Sequence, residues 1–279
     1  MRKACVIGWP IEHSRSPLIH NYWLKKYGID AAYEKKAVEP ENVAQFIANL
    51  AKSDFIGCNV TIPHKEMAFQ AVAVADKVAS RLGAVNTVYV KDGVVCGTNT
   101  DGEGFIASLR QPYPAFDLKN KTAIIIGAGG AAKAIIGALF DEGAAKIGII
   151  NRTRERTLGL QEQFGSRVFE INGTMVSEAL ENCNLLVNTT SQGMEGQPQL
   201  AVDIRHLKRD ALVADIVYVP LETTFLEKAK QLEHPVLGGL GMLLHQAVRG
   251  FELWFGLKPE VTTELYELVA ADVQKAHTQ

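Results

Sequence analysis

The strand-like run Thr122–Ile126 and the hexapeptide Gly127-Ala128-Gly129-Gly130-Ala131-Ala132 that follows it constrain this chain more than any other segment. A short apolar, β-branched run suits a parallel strand buried on both faces. The hexapeptide fits Gly-x-Gly-x-x-Ala and leads directly into a helical pattern. Gly127 permits the tight turn, Gly129 lets the backbone approach a pyrophosphate, and Ala132 keeps the helix close to the strand. The helix N-terminus adds amide donors for an anion. A purely structural glycine loop is the competing reading. The strand–loop–helix context favours dinucleotide binding.

The next strand, Lys146–Ile150, sharpens the cofactor. An NAD site usually carries Asp or Glu at the end of this strand to hold the ribose 2′-hydroxyl. Here the chain reads Asn151-Arg152-Thr153-Arg154-Glu155-Arg156, with no acid at the strand end and three arginines within five residues. Guanidinium forks match an extra phosphate dianion. NADP is therefore expected, with Arg152 stacking on the adenine or gripping the 2′-phosphate and Arg156 as the second candidate. The alternative is a solvated, charged helix start.

Around this segment, strands and helices alternate along the whole chain, which makes the fold class α/β. In the first part, strands are expected at residues 3–8, 32–38 and 55–61, with an antiparallel pair at 84–90 and 94–97. Helices are expected from Ser16-Pro17 to residue 28, over 39–52, and from Pro63. Gln111-Pro112-Tyr113-Pro114 is a stiff connector, after which a fresh βαβ series begins. Its further strands are 167–170, 185–188 and 212–216, and helices follow at 242–255 and 262–276. A length of 279 residues agrees with two domains at about 150 residues each. The 29 basic and 31 acidic residues give a net charge of −2, which argues against a polybasic nucleic-acid or membrane-surface protein. No segment reaches about 18 consecutive apolar residues, so no membrane helix is expected. Pro10 and Glu12 break the first apolar run, so no secretory leader is expected either. Cys5, Cys58, Cys96 and Cys183 form no metal-ligand spacing and read as buried thiols of a cytoplasmic protein; no metal site is expected.

The first part carries its own polar constellations. Ser14-Arg15-Ser16-Pro17 opens a helix, with Ser16 as N-cap and Pro17 at N1. Such an end, with the free Ser14 hydroxyl, also makes a carboxylate site. In Asn59-Val60-Thr61-Ile62-Pro63-His64-Lys65, the lysine falls in the first turn of a helix. A cation there opposes the macrodipole, so stability alone would not choose it, and proton transfer is a better reason. A surface lysine packing its stem is the bland alternative. Asp101, in Asn99-Thr100-Asp101-Gly102, is either an N-cap or a carboxylate placed to meet Lys65. Asn86 enters an otherwise apolar strand and needs buried partners, which a ligand could supply.

These motifs together resemble the shikimate dehydrogenase family over nearly the whole chain. Gly8-x-Pro10-Ile11-x-His13-Ser14-x-Ser16-Pro17 resembles its substrate loop, and Asn59-Val60-Thr61-Ile62-Pro63-x-Lys65 its catalytic segment. Asn86, Asn99-Thr100-Asp101-Gly102, the Gly127 loop and Asn151-Arg152-Thr153 follow in the family's order. Tyr218-x-Pro220-x-x-Thr223 and Gly239-Leu240-Gly241-Met242-x-x-x-Gln246-Ala247 close the series. The resemblance implies two α/β domains with the active site in the cleft between them. Residues 1–102 with the C-terminal helices of 239–279 would form the substrate domain. Residues 103–238 would form the Rossmann-type, doubly wound NADP domain. It implies reversible NADPH-dependent reduction of 3-dehydroshikimate to shikimate. Lys65 and Asp101 would be the catalytic pair, with Ser14 and Ser16 on the substrate carboxylate. Thr61, Asn86, Tyr218 and Gln246 would complete the pocket. Gly127, Ala128, Gly129, Gly130, Ala131, Asn151, Arg152, Thr153, Arg156 and Gly239 would serve the cofactor. No nucleic-acid or membrane partner is implied, and the chain would be a monomer or homodimer.

His64 stands where many relatives carry an apolar or aromatic residue, and Thr224 replaces a common proline. Ser16 rather than threonine leans toward shikimate over quinate. Two readings compete: a sister enzyme acting on quinate or an aminoshikimate-type compound, and a non-enzymatic nucleotide-binding regulator. The Lys65 and Asp101 pair argues against the second, because a binder has no use for a proton donor.

Overall fold

A computed structural model describes residues 2–277. The chain divides into two compact units, Met1–Gly104 with Leu244–Val269, and Phe105–Leu243 with Ala270–Gln279. Among the described residues, no helix is long and apolar enough to cross a membrane.

The first unit holds β1 (Arg2–Gly8), β2 (Ala31–Ala37), β3 (Phe55–Val60), β4 (Val74–Ala75), β5 (Thr87–Lys91) and β6 (Val94–Thr98), in the spatial order β2-β1-β3-β5-β6-β4. β1 runs parallel to β2 and β3, whereas β5 is antiparallel to both of its neighbours, β3 and β6. That one reversed strand decides where the chemistry gathers. The residues just after β3, just before β5 and just after β6 all meet at one end of the sheet. Alternation along the strands sends Cys5, Ile7, Cys58, Val60 and Val88 into one core, against Val43, Ile47, Ala68 and Ala79. Cys5 lies opposite Cys58 in the β1–β3 register, and all four cysteines are buried. On the other face Trp254 reaches over Gly57 and donates from Nε1 to the Val88 carbonyl at 3.0 Å.

The second unit holds β7 (Thr122–Ile126), β8 (Lys146–Ile150), β9 (Val168–Glu170), β10 (Leu185–Asn188), β11 (Leu212–Asp215) and β12 (Val236–Leu237). All are parallel, in the order β12-β11-β10-β7-β8-β9, the doubly wound order in which the chain reverses beside the first strand. Ala123 and Ile125 enter one core with Ile135, Ile136, Leu139, Ile147 and Ile149. Ile124 and Ile126 enter another with Leu180, Phe225 and Leu226. Burial on both faces is why this strand reads as an unbroken apolar run, and each fully buried isoleucine contributes about 1.5–3 kcal/mol.

Several expectations shift in detail. The helix expected over 39–52 is broken into a 3-10 turn Pro40–Asn42, a helix Val43–Ala48 and a 3-10 turn Leu50–Lys52. Asn42 and Asn49 flank the middle piece, and asparagine side chains compete with helical backbone bonds. The strand expected from 84 begins only at Thr87. The helices Lys77–Leu82, Val176–Glu181 and Thr224–Gln231, and the two-residue strands β4 and β12, carry no period long enough to read.

Candidate active site

Lys65 is the first residue of the helix Lys65–Ala71 after β3, and Asp101 the first residue of the helix Asp101–Arg110 after β6. Asn86 immediately precedes β5, the strand between them. The reversed strand therefore brings the three together. Lys65 Nζ lies 2.5 Å from Asp101 Oδ2, and Asn86 Nδ2 donates to Asp101 Oδ1 at 2.7 Å. The Asp101 carboxylate thus has a partner on each oxygen, and Asp101 stands inside the helix as its first residue. Its side chain is 11% exposed against 27% for Lys65, so the ammonium is on the open side of the pair. Asn86 is held in turn: its Oδ1 accepts from the Thr100 amide and the Thr87 hydroxyl, both at 2.9 Å. The Thr100 hydroxyl donates to the Gln246 carbonyl at 2.8 Å, which ties the helix Leu240–Phe255 to the same cluster. His64, beside Lys65, is fully buried, with Nε2 2.7 Å from the Val38 carbonyl.

Ser14 and Ser16 sit at the same sheet end, because β1 ends beside β3 and Thr61 donates its amide to the Ile7 carbonyl. The helix runs Ser16–Lys26, with Arg15 at the N-cap, so the expectation of Ser16 as N-cap is corrected by one residue. Ser14 Oγ instead accepts from the Ser16 amide at 3.4 Å. Ser16 is buried in the first turn of that helix. Tyr33 donates to Asn59 Oδ1 at 2.6 Å, and Asn59 Nδ2 reaches Thr87 Oγ1 at 3.2 Å. Burial pushes the Tyr33 phenol well above its ordinary range, so it remains a neutral donor. A continuous hydrogen-bonded row thus links Tyr33 through Asn59 and Thr87 to Asn86 and Asp101. Sequence reasoning missed Tyr33 and Asn59. The signal for Asn59 was the one used for Asn86, an asparagine in an apolar strand.

In the second unit, Gly127 has φ +107°, and a Cβ there would lie 2.8 Å from Thr189 Oγ1. Only glycine suits that turn. Gly129 and Gly130 have nothing within 4 Å of an added Cβ, and Gly129 caps the helix Gly130–Asp141 without a side-chain bond. The first helical amides are therefore open to an anion, with Ala128 and Ala131 alongside. Ile126 pairs with Ile150, which sets the 151–153 loop and the start of the helix Arg154–Phe164 beside the glycine loop. Asn151 closes that loop by donating to the Thr153 carbonyl at 2.7 Å. Arg154 pairs with Glu170, whereas Arg152 and Arg156 are exposed and make no ion pair among the described residues. These residues fit a dinucleotide with a 2′-phosphate. Tyr218 and Gly239 belong to this second unit, and Gln246 to the first. Among the described residues, no group of three His, Cys, Asp or Glu side chains could hold a metal ion.

Comparison with known proteins decides the family. The description "Shikimate dehydrogenase substrate binding domain" matches residues 6–88, and "Shikimate / quinate 5-dehydrogenase" matches residues 110–217. "Shikimate 5'-dehydrogenase C-terminal domain" matches residues 239–263. A shikimate dehydrogenase (NADP(+)) of Rhodopseudomonas palustris (strain BisB5) is 51% identical over 270 residues, covering 97% of this chain and 95% of that protein. The chain belongs to the shikimate dehydrogenase family. Among solved family structures, the shikimate 5-dehydrogenase of Thermus thermophilus in complex with NADP(H) and shikimate matches with a TM-score of 0.85 at 32% identity, covering 99% of this chain and 100% of that one. A quinate dehydrogenase of Corynebacterium glutamicum in complex with NAD matches with a TM-score of 0.87 at 28% identity, covering 97% and 99%.

Proposed function

We propose that this chain interconverts 3-dehydroshikimate and shikimate with NADPH and NADP, an oxidoreductase reaction at a CH–OH group. The observation that carries the reading is the Lys65–Asp101 pair, 2.5 Å apart and braced by Asn86. When bound, NADPH supplies the hydride. The ring oxygen must then gain a proton as charge develops on it. Lys65 Nζ gives that proton, and in the oxidation it takes the proton from the hydroxyl. Asp101 orients Lys65 and balances the charge of its ammonium. Ser14 and Ser16, at a helix N-terminus, bind the substrate carboxylate. Thr61, Asn86, Tyr218 and Gln246 complete the pocket.

The cofactor is held by the Gly127–Ala131 loop, by Asn151, Arg152, Thr153 and Arg156 at the 2′-phosphate end, and by Gly239. We assign the chain to the cytoplasm, as a monomer or homodimer without nucleic-acid or membrane partners. The net charge of −2 and the buried thiols support that assignment. The test is a matrix of initial rates with shikimate and quinate, each under NADP and NAD. Shikimate with NADP is expected to be fastest. Faster quinate turnover would transfer the chain to the sister activity, and no shikimate-dependent NADPH formation would leave only a nucleotide-binding role.

A further inference from the structure

One buried carboxylate is not used by the reaction above. Asp215 ends β11, is 2% exposed, and lies beside Asn188 at the end of β10. Its Oδ1 accepts from Asn188 Nδ2 at 2.9 Å and from the Val217 amide at 3.0 Å. Its Oδ2 accepts from the Thr223 hydroxyl at 2.7 Å. Thr223 Oγ1 in turn accepts from the Leu226 amide and so caps the helix Thr224–Gln231. Asn188 uses its other groups on the next loop: Nδ2 donates to the Gln192 carbonyl, and Oδ1 accepts from the Thr190 amide and hydroxyl. A single carboxylate therefore pins two loops, 189–193 after β10 and 216–223 after β11.

Both loops abut the cofactor machinery. Thr189 donates its amide and its hydroxyl to the Ile126 carbonyl, at 2.9 and 2.8 Å, directly under Gly127. A Cβ on Gly239 would lie 2.2 Å from the Ile216 carbonyl oxygen, so the 216–217 backbone is packed against that glycine. In a doubly wound sheet, ligands lie beyond the carboxyl ends of the strands, and the second strand set serves the second mononucleotide. Here the first set, β7 to β9, carries the arginines, which leaves β10 to β12 facing the nicotinamide end. Burial pushes the Asp215 carboxyl up to about 6, against the three hydrogen bonds that favour its charge. A buried charge costs stability, so packing alone would not select it.

The geometry points to Asp215 as the positioning residue for the nicotinamide half of the cofactor site, acting through the loops 189–193 and 216–223. The inference rests on the NADP-linked reading above. It is tested on the full chain by NADPH fluorescence titration, with shikimate affinity from calorimetry and folding from circular dichroism. Asp215→Ala removes every acceptor and is expected to raise the NADPH Kd by about tenfold or more, and the shikimate Kd by clearly less, since of the residues assigned to shikimate only Tyr218 lies on the released loops. Asp215→Asn keeps the Oδ1 acceptor and can donate to Thr223, so it is expected to restore NADPH Kd to within about threefold. A folded Asp215→Ala with unchanged NADPH Kd, or with shikimate Kd rising by as much as NADPH Kd, overturns the proposal. If Asp215→Ala does not fold, Thr223→Val against Thr223→Ser carries the same comparison, with loss expected only for valine and equal NADPH Kd values overturning the proposal. The titration needs no turnover. Absence of shikimate oxidation would overturn the assigned reaction, and an unmoved NADPH Kd would overturn this positioning role.

Discussion

Asp101→Asn tests the catalytic pair with the smallest change in shape. Asp101 accepts from Lys65 Nζ on Oδ2 at 2.5 Å and from Asn86 Nδ2 on Oδ1 at 2.7 Å. An asparagine has one acceptor and one donor group at these positions. Turned one way, its amide NH2 faces Lys65; turned the other way, it faces the Asn86 NH2. Either orientation leaves two donors opposed in a site where Asp101 is 8% exposed. The lost charge-assisted bond and the mispaired group together amount to about 3 kcal/mol. Expressed in the transition state, that is about 10²-fold in kcat. Initial rates of NADPH formation from shikimate, followed by absorbance across shikimate concentrations, measure it. We expect the drop in kcat to exceed the rise in KM. A folded variant with kcat within about fivefold of the parent would refute the reasoning.

Two further outcomes follow from the packing. Burial holds the His20 imidazole down at about 3, with Asn59 opposing, while the ring stacks on Tyr33 at 4.1 Å. The folded pKa is below the unfolded value of about 6.5, so the unfolded chain binds the extra proton and stability falls as pH drops below that value. His20→Phe should remove about 2 kcal/mol of the stability lost between pH 7.5 and 5.0, read by urea unfolding at both pH values; identical pH dependence would contradict it. Gly104→Ala places a Cβ 2.6 Å from Gln246 Cβ and 2.7 Å from the Gln246 amide nitrogen. Alanine in a helix is ordinarily worth about 1 kcal/mol over glycine, but overpacking costs about 1–3 kcal/mol. Melting should show a lower Tm and rates a lower kcat/KM; a raised Tm would show that the helices do not approach so closely.

What was legible in the sequence depended on range. β7 and the glycine loop could be read because their physics is local: two-sided burial and a turn that only glycine permits. The arginines after β8 were legible because an expected acid was absent. Lys65 and Asp101 stood out singly, as a cation at the wrong helix end and a carboxylate before a helix. Their bracing by Asn86 depends on β5 running against β3 and β6, which no short window contains. Tyr33 was missed for the same reason, since its partner Asn59 comes from another strand, whereas Asn59 carried the local signal that singled out Asn86. The boundary errors lie in short pieces such as Val43–Ala48, too brief to show a period.

The most direct test of the account is Lys65→Ala, assayed for shikimate-dependent NADPH formation and, separately, for shikimate binding by calorimetry. If Lys65 moves the proton, turnover falls by about 10²–10⁴-fold while the shikimate Kd changes far less. Unchanged turnover in the folded variant would contradict the assignment.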